Sequence, residues 1–138
     1  MKKSRSENPS ETRDDKALRL TDLETEIMQV VWSKGNVSAS EVREALMPHR
    51  PLAHTTILTV LEKLRRKRAV RVVPSLSRAK RFRACVEKDE VACRLIDKLC
   101  SRFFNGSTAS LVAHLVKEQE IDQKELEEIR KLLDQARD

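Results

Sequence analysis

The signals that begin helices constrain this chain more than any other feature of its sequence. Thr21-Asp22-Leu23-Glu24 and Ser38-Ala39-Ser40-Glu41 both have the form of a capping box. In a capping box, the Ser or Thr hydroxyl and the Glu three residues later satisfy backbone N–H groups at a helix start. An Asp version stands at Asp122-Gln123-Lys124-Glu125. Because an apolar stripe at helical spacing follows each signal, the chain is predicted to be built mainly of helices.

The first three predicted helices are short and closely spaced. Gly35 is expected to end the first, since glycine readily adopts the left-handed conformation found at helix ends. The second, with Val42, Ala45 and Leu46 on one face, closes before Pro48. A third helix is predicted from Ala53 to about Lys67. Its inner-face residues share a spacing of three, one and three: Ile57, Val60, Leu61 and Leu64.

A β-hairpin is predicted after the third helix. Residues 70–73 and 80–86 read as strands on either side of a break at Pro74–Ser77. Phe82 is expected in the core, and Val37 in a short strand or a buried linker. Three helices followed by a hairpin form the winged helix-turn-helix plan, in which the second and third helices are the helix-turn-helix and the hairpin is the wing.

The C-terminal part is predicted to be helical throughout. Its three apolar stripes lie on helices too few to bury them alone, so a second copy of the chain is expected to cover them. The alternative is docking onto the N-terminal domain. The candidate dimerisation residues all lie on the stripes: Leu95, Leu99, Phe103, Leu111, Leu115, Leu126, Ile129 and Leu133. The predicted organisation is a flexible arm at 1–17, a winged-helix domain at 18–86 and a helical dimerisation domain at 87–138.

Charge is distributed unevenly along the chain. Residues 1–86 hold 19 Lys/Arg and 10 Asp/Glu, whereas residues 87–138 hold 9 and 12. The basic block, residues 63–83, contains ten Lys/Arg and no acid. A block of one sign can be a disordered tail or a solvated face, but apolar residues between these charges indicate a folded segment. The basic block therefore predicts a polyanionic partner, double-stranded DNA.

The third helix is the candidate element for reading DNA sequence. The start of its outer face carries short, weakly charged side chains that suit base edges in a major groove. The alternative is an ordinary solvent-facing helix start. The predicted DNA-binding residues lie on this helix and on the hairpin: His54, Thr55, Thr56, Leu58, Thr59, Lys63, Arg66, Arg78, Lys80 and Arg81. The basic members are expected to bind phosphates, which sets affinity and salt dependence rather than sequence preference.

The sequence shows no pattern typical of a metal site, an enzyme or a membrane protein. The three cysteines lack the spacing of a metal site, and no catalytic motif or phosphate-binding loop is present, so neither an enzyme nor a cofactor is expected. Cys93 and Cys100 are interpreted as buried apolar filler, with a redox or inter-subunit role as the alternative. No apolar run reaches membrane-spanning length and the N-terminus lacks a signal peptide pattern, so no membrane binding and a cytoplasmic location are expected.

Four segments that together cover about residues 18–135 resemble a known family: Leu20–Trp32, His54–Leu64, Phe103–Ser107 and the last helix. Through these segments the chain resembles the penicillinase repressor family (BlaI/MecI/CopY). It implies a sequence-specific transcriptional repressor that binds a palindromic operator as a homodimer. It further implies relief of repression when a membrane sensor protease cleaves the dimerisation part.

The chain also departs from the family pattern. Arg68 stands where relatives usually carry glycine, and Ser77 replaces a glycine of the wing. The start of the third helix, Leu52-Ala53-His54, lacks the usual Ser/Thr cap. The Cys-x-Cys pair of copper-sensing relatives is missing, which argues against a copper sensor. The competing interpretation of the whole chain is a winged-helix adaptor that binds a protein partner, for which the all-basic block would have no use.

Overall fold

The structure is a computed structural model that describes residues 18–136, and the predicted arm at 1–17 lies outside the described residues. The chain is mainly helical with one small sheet, as predicted. The elements follow in this order: α1 (Asp22–Lys34), β1 (Asn36–Ser38), α2 (Ala39–Leu46), α3 (His54–Arg66), β2 (Val70–Val73), β3 (Arg81–Ala84), α4 (Lys88–Phe103), α5 (Thr108–Glu118) and α6 (Gln123–Ala136).

The first two capping boxes are confirmed in both directions. At α1, the Thr21 hydroxyl accepts from the Glu24 N–H at 3.2 Å, and the Glu24 carboxylate accepts from the Thr21 N–H at 2.9 Å. Ser38 and Glu41 exchange the same two bonds at α2. Gly35 ends α1 with a φ of 85°. As predicted, α3 starts without a side-chain cap, because the residue at its N-cap is Ala53.

The sheet has three antiparallel strands in the order β1-β3-β2. The predicted hairpin forms its β3-β2 half, and β1 pairs with the other edge of β3. Phe82 lies opposite both Val37 and Val72 in register, and its side chain is fully buried. The expectation that Phe82 is core and that Val37 is in a short strand is confirmed.

The core lies between the three N-terminal helices and the inner face of the sheet. All four predicted inner-face residues of α3 are buried. On α2, Val42 and Leu46 are buried but Ala45 is exposed, so the predicted inner face was one residue too wide. On α1, Ile27, Met28 and Val31 are fully buried. The Trp32 indole N–H donates to the Val86 carbonyl at 2.9 Å, which fixes α1 to the end of the hairpin.

Contacts divide the chain into two compact units, and the boundary lies within α4, between Leu95 and Ile96. The functional boundary predicted at 86/87 stays a prediction. In the second unit, α5 and α6 contain no buried residue. None of the helices within residues 18–136 is both long and apolar enough to cross a membrane.

Candidate nucleic-acid interface

The outer face of α3 is exposed because its opposite face fills the core. With Ile57, Leu61 and Leu64 buried, the helical repeat turns Thr55, Thr59 and Arg66 away from the core, and all three are exposed. Short polar side chains therefore occupy the first two turns of this face, and a cation occupies its end.

The other predicted reader residues lie at the sides of this face. His54 is exposed and begins α3, whereas Thr56 and Leu58 are partly buried, with Leu58 packed against the core. The Thr59 hydroxyl donates to the Thr55 carbonyl at 2.9 Å. Because this bond uses its only hydrogen, Thr59 presents a methyl group and acceptor lone pairs outward.

A concave groove brings the helix-turn-helix and the wing together. Its lining comes from the start of α2, the flank of α3 and the end of the wing loop: Ser38, Ala39, Ser40, His54, Leu58, Glu62, Ala79 and Lys80. Across it, the Lys80 ammonium lies 3.4 Å from the Glu62 carboxylate, and the Arg65 guanidinium lies 3.2 Å from the same group. Partial burial raises the pKa of Glu62, but Lys80 and Arg65 outweigh burial and lower this pKa below its ordinary value overall.

The ten cations of the basic block fall into two sets. One set forms ion pairs with acids of the first unit: Arg65, Lys67, Lys80 and Arg81. The other set has neither an ion pair nor a side-chain hydrogen bond within residues 18–136: Lys63, Arg66, Arg68, Arg71, Arg78 and Arg83. All six side chains of this unpaired set are exposed. Arg78 stands in the wing loop, and Lys63 and Arg66 continue the outer face of α3.

Arg81, predicted to contact DNA, is engaged within the fold. Its guanidinium donates to the Asn36 side-chain oxygen at 2.6 Å, to the Asn36 carbonyl at 2.9 Å and to the Glu41 carboxylate at 2.7 Å. Together with the backbone N–H of Ser38, this contact holds the pKa of Glu41 below its ordinary value. Arg81 thus joins β3 of the wing to β1 and to the start of α2.

Lys67, directly after the C-terminal end of α3, makes a similar junction with the start of α1. Its ammonium lies 2.6 Å from the Glu24 carboxylate and 3.0 Å from the Arg19 carbonyl. Glu24 is nearly fully buried. Burial raises its pKa, but the bonds from Lys67 and Thr21 outweigh burial and lower it overall. In both junctions the Glu of a capping box also accepts a hydrogen bond from a cation of the basic block. No sequence pattern predicted either pairing.

The cysteines and acids do not form a site in the described part of the chain. No cluster of three or more His, Cys, Asp or Glu able to hold a metal occurs there. Cys100 is buried, in agreement with the filler interpretation, but Cys93 is exposed, so that interpretation is wrong for Cys93.

The predicted dimerisation residues lie on apolar faces that the chain does not fully cover. Leu95, Leu99, Phe103, Leu115 and Leu133 are 43–73% exposed. Leu111, Leu126 and Ile129 are partly buried. The second unit therefore carries large apolar side chains in contact with solvent.

Fold and site together define a winged helix-turn-helix protein whose third helix and wing carry cations that have no ion pair within residues 18–136. The chain belongs to the penicillinase repressor family, whose sequence model matches residues 20–135. The family predicted from the resemblance is thereby confirmed.

Three relatives show the range of similarity. The transcriptional regulator BlaI of Mycobacterium tuberculosis is 36% identical over 103 residues, covering 73% of this chain and 74% of the relative. The penicillinase repressor of Staphylococcus aureus is 24% identical over 119 residues, covering 86% and 94%. The methicillin resistance regulatory protein MecI of Mammaliicoccus sciuri is 24% identical over 120 residues, covering 87% and 97%.

Among solved structures, the chain is similar to Streptococcus pneumoniae FabT in complex with DNA. The TM-score is 0.44 at 23% identity, with 85% of this chain and 73% of FabT covered.

Proposed function

We propose that this chain is a transcriptional repressor that binds a two-fold symmetric DNA operator as a homodimer in the cytoplasm. The observation that carries the proposal is the outer face of α3. It places exposed Thr55 and Thr59 beside the unpaired cations Lys63 and Arg66, with unpaired Arg78 at the tip of the wing. Polar side chains suited to base edges are thus framed by charges suited to phosphates.

The division of the basic block into paired and unpaired cations supports a role in binding DNA. Lys63, Arg66 and Arg78, the unpaired cations that frame this face, have no internal partner in the described residues, so their interaction with solvent counterions can be exchanged for phosphates. Binding should weaken steeply with salt. The reading of sequence is assigned to Thr55 and Thr59, because the hydroxyl of Thr59 is left as an acceptor for the amino groups of adenine or cytosine.

A homodimer is proposed because of the second unit. Its apolar side chains, including Leu99 and Phe103, are exposed to an extent that is costly for a monomer. A second copy presenting the same faces would bury them and would place two α3 helices on one duplex. On the family resemblance we add that a membrane sensor protease relieves repression by cleaving the dimerisation part. Co-expression with such a protease should then yield a shortened chain that no longer dimerises.

The experiment that tests the proposal is selection from a pool of random DNA duplexes, followed by affinity measurements at several salt concentrations. The expected result is an enriched two-fold symmetric sequence that is bound more tightly than its scrambled version, with affinity falling as salt rises. No enrichment, together with early elution from heparin, would instead favour the protein-binding adaptor.

A further inference from the structure

A second basic surface lies at the end of α3, beside the edge strand β2. A concave depression there is lined by four arginines, by valines and by a cysteine: Arg65, Arg66, Arg68, Val70, Arg71, Val72, Cys85 and Val86. None of the described residues in this lining is acidic. The lining of the depression therefore combines apolar and positively charged side chains.

The outer face of the sheet adds another cation to this surface. Arg71 of β2 and Arg83 of β3 are directly opposite in the antiparallel register, and both are exposed. Like charges placed opposite each other destabilise a sheet. Within residues 18–136 neither of them has an ion pair that would offset this repulsion.

Arg68 also occupies its place at a conformational cost. It has a φ of 69°, and it sits where the chain leaves α3 in a Schellman-type end, with Ala69 N–H donating to the Leu64 carbonyl at 2.9 Å. Glycine takes this conformation without strain, whereas a side chain with a Cβ does not. Arg68 therefore costs the fold stability and makes no ion pair within residues 18–136 in return.

The depression and the groove of the proposed operator site border the same flank of α3. Leu58, Glu62 and Arg65 follow one another along one flank of α3 at spacings of four and three residues, which places them on one side of the helix. Leu58 and Glu62 line the groove beside the wing, and Arg65 lines the depression. A DNA strand lying in the groove has a positively charged path beyond it.

We infer that Arg68, Arg71 and Arg83 form an arginine flank that binds backbone phosphates of DNA outside the operator core. The inference rests on the proposed function, since it extends the same interface. The three residues are uncompensated, exposed and placed at an energetic cost, and a phosphodiester backbone supplies the missing negative charge. The arginine flank would lengthen the bound duplex without adding sequence preference.

The test compares two duplexes: the core sequence found by selection, and the same core extended by about one helical turn, roughly 10 base pairs, at each end. Wild-type protein should bind the extended duplex more tightly. Arg71→Ala and Arg83→Ala should abolish this gain and reduce the salt slope on the extended duplex by about 0.9 for each phosphate that is no longer neutralised. Affinity for the core should stay unchanged. Lys88→Ala, an exposed cation outside the basic block, is the matched control and should behave as wild type.

Arg68→Gly separates binding from folding. It should remove part of the gain on the extended duplex while leaving the melting temperature equal to or above that of wild type, because it relieves the strain at this position. Equal losses on both duplexes, or no loss on either, would overturn the arginine flank. If wild-type protein selected no sequence at all, the proposed function itself would fail, which is a different outcome.

Discussion

Comparing Arg81→Ala with Arg78→Ala distinguishes a residue that we expect to orient the wing from one that we propose binds DNA. The Arg81 guanidinium makes three hydrogen bonds to Asn36 and Glu41, and each is between 2.6 and 2.9 Å long. Hydrogen bonds of charged groups are worth about 1.5–3 kcal/mol when shielded. The Glu41 side chain is 42% exposed, and exposed ion pairs contribute less than about 1 kcal/mol.

We therefore expect Arg81→Ala to lower the free energy of unfolding by about 1–2 kcal/mol. For a domain of this size that loss corresponds to a melting temperature lower by roughly 4–8 °C per kcal/mol. Operator affinity should fall as well, because the wing no longer has its link to the start of α2. Arg78→Ala, which removes an unpaired cation of the wing loop, should leave the melting temperature unchanged.

Fluorescence anisotropy across a salt series distinguishes the two variants. Arg78→Ala should reduce the slope of log affinity against log salt by about 0.9 per subunit, since one phosphate is no longer neutralised by the wing. Arg81→Ala should leave the slope as in wild type, because its charge is already paired within the fold. Arg81 would instead be a direct DNA contact if Arg81→Ala melted like wild type and flattened the salt slope as much as Arg78→Ala does.

Three further predictions concern the fold and the second unit. Folding lowers the pKa of Glu24 below its ordinary value of about 4.5, so the ionised carboxylate stabilises the protein above that pH, and this stabilisation is lost as the pH falls through the pKa of the folded state. Glu24→Gln should therefore flatten the acid side of a profile of stability against pH. A profile identical to that of wild type would contradict this. Gly35→Ala should cost about 1–2 kcal/mol in urea unfolding through strain at φ 85° alone, since among the described residues no atom beyond Gly35 and its two chain neighbours lies within 4 Å of the added methyl group. Phe103→Asp should give a monomer by light scattering, whereas the control Ser101→Asp, on the same helix, should stay dimeric. If both variants are dimers, the apolar face of α4 is not part of the interface.

Local signals predicted most of the fold. The helix starts at Thr21 and Ser38 depend on bonds between residues three apart, so their pattern is visible in the sequence. The four buried residues of α3 follow from helical spacing in the same way. Ala45 was misplaced because periodicity marks a face, while burial depends on which neighbours cover that face.

The candidate site was predicted less completely because its charges pair over long distances. Sequence shows that residues 63–83 carry ten cations but not which of them meet an acid in the fold. Arg81 pairs with Glu41, which lies forty residues away in the sequence, and Lys67 pairs with Glu24, which lies forty-three residues away. Such pairings arise from tertiary packing, so the block appeared uniform in the sequence although the fold divides it into a paired and an unpaired set.

We expect the weakly charged face of α3 to determine where the protein binds on DNA, and the unpaired cations to determine how tightly it binds. Parallel selections from one random duplex pool with wild type, Thr59→Ala and Arg78→Ala test this expectation most directly. We expect Thr59→Ala to enrich an altered base at one position of each half-site, and Arg78→Ala to enrich the wild-type sequence with lower affinity. Recovery of the unchanged wild-type sequence by Thr59→Ala, or selection of a different sequence by Arg78→Ala, would contradict this division of roles.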